Sequence, residues 1–275
     1  MPPFAAIALL FSLSCSDSPP DPGFFEQALQ HQRAGELDKA EDLLTRSIEN
    51  TEAFHGREHV DVARDLTVLA DIYEAQNRLD MAEAALVRAT DLQKKTYGPN
   101  DPRMVLPKEK LGRFFLAQKR HSEANPLLVD ALAARESDLD TDAAELVMLL
   151  IDVSLTQRGM GDLTSTMTTL DRAAATASQY LGDDHGLMAS IQAHRGEAYR
   201  RLNKYKEAKE ALNLAVAISE EKWGPNDPAV ALALNNLAVI LYESGDIVGA
   251  EQAFSRVEKI RSVKATPPKS DASQK

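Results

Sequence analysis

His55-Gly-Arg-Glu58-His59 spells H-x-x-E-H, a spacing that on one continuous helix lets two imidazoles hold a zinc ion. Asp138-x-Asp140-x-Asp142 opens like a calcium loop, in which glycine is needed at the sixth place and a bidentate glutamate at the twelfth. GPNDP occurs twice, at Gly98 to Pro102 and at Gly224 to Pro228, and a glycine-bearing loop of this kind can cradle phosphate or simply turn the chain. Each chemical reading fails on a neighbour. Gly56 falls in step with Gly98, Gly182 and Gly224, where the chain breaks between helices, so His55 and His59 do not share a helical face. Ala143 and Leu149 stand where a calcium loop needs its glycine and glutamate, which leaves the aspartates as a solvated turn capping the next helix. The other histidines are scattered, no Ser/His/Asp or Cys/His grouping emerges, and Cys15 is the sole cysteine. The residues predict no enzyme, no metal and no cofactor.

The spacing of the two GPNDP loops points instead to what positions them. They lie 126 residues apart, or 3 × 42, and a constant step of 42 runs along the chain. From Ala40 it meets Ala82, Ala124, Thr166, Ala208 and Ala250; from Leu44 it meets Leu86, Leu128, Leu170, Leu212 and Phe254. From Ala28 every residue is small: Ala70, Gly112, Ser154, Gly196 and Ala238. Six units in register without an insertion predict a repeat architecture. Within a unit, LTVLADIYEAQNRLDMAEAALVRATDLQ shows apolar residues at helical spacing in two stretches separated by a polar turn. A composition 44% hydrophobic but only 5% aromatic suits helices packed through small and aliphatic side chains. Ser154, Gln157 and Thr166 put polar groups at core positions of the fourth unit, and Gln192 and Arg195 do so in the fifth.

Leu66-x2-Leu69-Ala70-x2-Tyr73 followed by Ala82-x3-Leu86, and its counterpart from Leu234 to Phe254, resemble the tetratricopeptide repeat. The 42-residue length, with stretches such as GPNDPAVALALNNLAVILYESG, is similar to the kinesin light chain type. The resemblance implies an all-α, right-handed α-solenoid of six helix-turn-helix units over residues 24–261. The GPNDP loop is then punctuation between units: glycine caps one helix and Asp-Pro starts the next. Trp223, in step with Tyr97 and Leu181, is expected as an apolar plug under that loop.

In such arrays the first helices line a groove that binds a partner protein or peptide. The resemblance places Lys110, Arg113, Arg158, Arg200, Arg201, Asn235, Asn236 and Tyr242 there. Asparagines at the sixth position of kinesin light chain repeats hold the backbone of an extended peptide; here Asn236 keeps that letter, its equivalents being Glu26, Val68, Lys110, Asp152 and His194. The five cations among these residues predict an acidic partner segment and salt-sensitive binding. At the other end, Phe254, Val257 and Ile260 lie on the last helix, which no further repeat covers, and predict a contact patch through which the protein could form a homodimer.

Phe4 to Leu13 form a short apolar run that stops at Ser14-Cys15, followed by the Pro-rich SDSPPDPG. This resembles a bacterial lipoprotein signal. It implies residues 1–14 as signal peptide, lipid attachment at Cys15 and residues 15–23 as a tether on the periplasmic side of the cell envelope. Serine after the cysteine favours the outer membrane. Residues 262–275 read as a disordered tail. A net charge of -11 argues against nucleic acid as the partner. Three readings stay open: an envelope scaffold, a self-associating structural envelope protein, and an intracellular adaptor.

Overall fold

The computed structural model describes residues 23–138 and 141–265. The expected signal, Cys15, all but the last residue of the tether and residues 266–275 of the tail lie outside the described residues. The structure is all-α, without a strand among the described residues. Its helices pair as α1 (Gly23–Arg33) with α2 (Leu37–His55), α3 (Val60–Ala75) with α4 (Leu79–Tyr97), and α5 (Val105–Ala117) with α6 (His121–Glu136). The pairs continue as α7 (Ala143–Gly159) with α8 (Leu163–Tyr180), α9 (Gly186–Arg201) with α10 (Tyr205–Trp223), and α11 (Pro228–Glu243) with α12 (Ile247–Ala265). These are the six expected hairpins. They fall in two compact units, one ending at Pro107 and one beginning at Lys108, within α5.

The turn inside each hairpin repeats in atomic detail. Gly35, Asn77, Lys119, Gly161, Asn203 and Gly245, each 42 residues after the last, all take φ between 57° and 88°. That left-handed residue lets the next N–H reach back to the last helical turn, as in Arg78 N to Tyr73 O at 2.8 Å and Lys204 N to Tyr199 O at 2.9 Å. Between hairpins, Gly56, Gly98, Gly182 and Gly224 provide a second left-handed position. After it, Asp101 and Asp227 accept from the backbone N–H of Arg103 and Ala229, with proline at the first helical place. The loops are the punctuation that the sequence predicts. Asp142 likewise caps α7, accepting from Ala144 and Glu145. Trp223 departs from expectation: it is 46% exposed, and its ring lies where a Cβ on Gly186 would stand 2.5 Å from Cζ2, against the start of α9.

Small residues set how closely the two helices of a hairpin approach. A Cβ on Gly112 would stand 2.7 Å from Leu128 Cγ, and one on Gly196 would stand 2.6 Å from Leu212 Cγ. Ala28, Ala70 and Ala238, at the same register, are fully buried. The polar core residues of the fourth unit are bonded locally. Ser154 Oγ donates to Ile151 O, Thr166 Oγ1 to Asp162 O, and Thr169 Oγ1 to Gln157 Oε1.

One buried polar pair joins the first hairpin to the second. Asp65, fully buried on α3, accepts from Ser47 Oγ at 2.5 Å and from Arg64 Nε at 2.9 Å. At the corresponding positions other units carry Ala89, Ala131, Ala173 and Ala215 for Ser47, and Leu149 and Ile191 for Asp65. Ser47→Ala strands one carboxylate oxygen and should cost about 1–3 kcal/mol in urea unfolding. Ser47→Ala with Asp65→Leu should recover most of that loss, because apolar groups then replace both partners. A double variant no more stable than Ser47→Ala would show that the carboxylate itself is needed.

Candidate partner-binding groove

The first helices of successive hairpins in the second unit are tied side by side. From α5 to α7, Arg113 Nε donates to Asp152 Oδ2 at 2.7 Å. From α9 to α7, Arg201 Nη1 donates to Arg158 O at 3.0 Å, and from α9 to α11, Arg200 Nη1 donates to Glu243 Oε1 at 3.0 Å. Arg113, Arg158, Arg200 and Arg201 thus stand on first helices linked to one another, and Asn235, Asn236 and Tyr242 lie on α11, the helix that Arg200 reaches. Lys110 is half-buried on α5 beside Arg113 in sequence.

The electrostatics here differ from a plain basic wall. Arg113 also lies 3.4 Å from Glu109, which is 4% exposed and accepts from Arg135 Nε at 2.6 Å. Arg200 forks onto Glu197 at 2.7 and 2.9 Å, and Arg201 reaches the same carboxylate at 3.2 Å. Burial pushes the Glu197 carboxyl up, but those bonds outweigh it and hold the carboxyl below its usual range. Burial raises Asp152, against the pull of Arg113. Three of the expected cations thus spend their charge inside the chain.

Arg158 does not. Its guanidinium makes no hydrogen bond or ion pair among the described residues, and burial lowers its proton affinity, with Arg201 and Arg200 adding repulsion against the attraction of Glu197. His194 lies in the same place. Its pKa is pushed down to about 4, by burial first and by Arg158 second, so the imidazole is neutral at pH 7. The first helices of this unit also expose apolar side chains: Met148 of α7 is 42%, and Leu232 and Tyr242 of α11 are 65% and 63% exposed. Met148 and Leu232 escaped the sequence reading, which looked along the groove for charge; stepping by 42 from Leu106 reaches both.

His55 ends α2, and His59 caps α3 by accepting from Asp61 N–H, their rings stacked at 4.4 Å with Gly56 at φ 91° between them. The C-terminal patch is smaller than predicted. Val257 and Ile260 are 2% and 3% exposed, buried in a core shared with α11, because the helix turns that stripe inward. Phe254 remains 40% exposed. The positions matching Val216 and Ser219 of α10, both buried there, carry exposed Glu258 and Arg261 on α12. No helix among the described residues is long and apolar enough to cross a membrane.

A family model described as Tetratricopeptide repeat matches residues 25–95 and 145–221. Protein KINESIN LIGHT CHAIN-RELATED 3 of Arabidopsis thaliana is 24% identical over 88% of this chain and 43% of its own length. The chain spans less than half the length of the curated relatives it matches. Among solved structures, the nearly identical TPR-like repeats of a kinesin light chain from Podosopora anserina superpose with a TM-score of 0.64 at 21% identity, covering 73% of this chain and 95% of theirs. BtubC (BKLC) from P. vanneervenii gives a TM-score of 0.64 at 18% identity over 87% of this chain and 97% of its own.

Proposed function

Because the chain belongs to the tetratricopeptide repeat family, we propose that it is a non-catalytic scaffold whose second unit holds an acidic segment of a partner protein on the face of its first helices. Arg158 carries this reading. A half-buried guanidinium without a bonded carboxylate is costly, and an incoming carboxylate offsets that cost. The half-buried amides of Asn235 and Asn236 suit the backbone of the same segment, and Met148, Leu232 and Tyr242 offer apolar contact beside it. Full-length protein should capture its partner from cell-envelope extract less well as salt rises. Arg158→Glu with Arg200→Glu should weaken capture by about tenfold or more. Undiminished capture by that folded double variant would overturn the acidic-segment reading.

The scaffold is placed in a bacterial envelope, on the periplasmic side and anchored by lipid at Cys15 to the outer membrane. The support is the run FAAIALLFSL ending at Ser14-Cys15. Cys15→Ser should move the protein from the membrane to the soluble fraction or leave an uncleaved precursor. An unaltered fractionation pattern with Met1 intact would refute the anchor. Self-association through the end of α12 rests on Phe254 alone among the three residues assigned to it. Light scattering of wild type against Phe254→Glu separates such a dimer from capture of a foreign partner.

A further inference from the structure

At three of the five junctions between successive second helices an Arg–Glu strut recurs; at α4–α6 its positions hold Lys94 and Asp130. Arg88 of α4 donates to Glu52 of α2 at 2.5 Å, Arg172 of α8 bonds Glu136 of α6, and Arg256 of α12 bonds Glu220 of α10, each across 36 residues. At the α8–α10 junction the same two positions hold Leu214 and Ser178, which cannot form it. A groove of about 790 Å³ opens there. Its floor is α9, where Gln192 is buried and Arg195 Nη2 donates to Asp171 at 2.5 Å, leaving Arg195 Nε buried and unpartnered. Asp183, Asp184 and Glu221 line it too, so four carboxylates with Asp171 face one guanidinium. Leu214 is 47% exposed in its wall, above buried Ile218.

We propose that this groove is a second docking site, taking a protein segment in which lysines or arginines flank one bulky apolar side chain. The apolar side chain covers Leu214 in the space that a strut occupies at three other junctions, and the cations meet the carboxylates, of which Arg195 answers Asp171 alone. The same absence of an arginine both opens the groove and makes it acidic. This surface lies on second helices, and it asks for a charge opposite to that asked for by Arg158 on the first helices.

The test is fluorescence anisotropy on the full-length protein with a labelled Lys-Arg-Phe-Arg-Lys peptide, beside versions with Gly for Phe and with Glu for every cation. The basic Phe peptide should bind at least about tenfold more tightly than either control, with affinity falling as salt rises. Leu214→Arg with Ser178→Glu installs the strut and should reduce binding to the level of the controls. Asp183→Asn with Asp184→Asn and Glu221→Gln changes charge and keeps side-chain size, and should do the same. Arg158→Glu should leave this peptide's affinity intact, which keeps the outcome separate from that of the first-helix groove. Equal binding of the Gly peptide, or unchanged affinity in the folded strut and charge variants, would overturn the proposal.

Discussion

Gly196→Val should destabilise the protein by about 3 kcal/mol, read as a fall of roughly 6–12 °C in the unfolding midpoint. A Cβ there meets Leu212 Cγ at 2.6 Å and both Leu212 methyls at 3.0 and 3.1 Å. Leu212 is 1% exposed in the core that joins α10 to α11 and α12, so it has no room to retreat. Leu212→Ala alone should cost about 2–5 kcal/mol by leaving a cavity. Combined, the two substitutions should cost clearly less than their sum, since the valine methyls enter the space that the leucine leaves. Strict additivity would show that the contact does not set the spacing of α9 and α10. The same argument applies to Gly112 and Leu128.

Acidification from pH 7 to pH 5 should remove about 2 kcal/mol of stability through His194 alone. Its folded pKa of about 4 lies below the ordinary histidine value of 6.5. Between those values the unfolded chain binds a proton that the folded chain refuses, so stability rises with pH across the window and is lost as pH falls from about 6.5 toward 4. Asp152 works in the opposite sense, its raised pKa favouring the protonated folded form at the acid end. His194→Gln should flatten the stability profile between pH 7 and pH 5, as measured by urea unfolding. A His194→Gln profile as steep as wild type would assign the acid sensitivity to other groups. An acidic segment bound at Arg158 would ease the repulsion on a protonated His194, so its affinity should increase as pH falls through the same window.

The step of 42 residues determined the repeat count, the hairpin in each unit and the glycine loops between units, because each rests on contacts local in sequence. A left-handed residue after a helix, or an aspartate before one, needs only its own neighbours. The first-helix register also brought Arg113, Arg158, Arg200 and Arg201 onto one face, since a helix fixes which residues share a side. Sequence spacing did not reveal which of those cations were already spent. Glu197 and Glu243 answer Arg200 and Asp152 answers Arg113, leaving Arg158 as the open charge, and two of these pairs cross from one hairpin to the next. Burial was equally out of reach. Val257 and Ile260 look like a free apolar stripe in the sequence, yet packing against α11 hides them, and His194 reads as a solvated groove residue until its neighbours displace the water around it. The open α8–α10 groove is the sharpest case: Leu214 is an ordinary leucine in the sequence. Only the struts formed at three of the other four junctions show that an arginine is missing there, because a strut is a relation between helices and leaves no mark on either one alone.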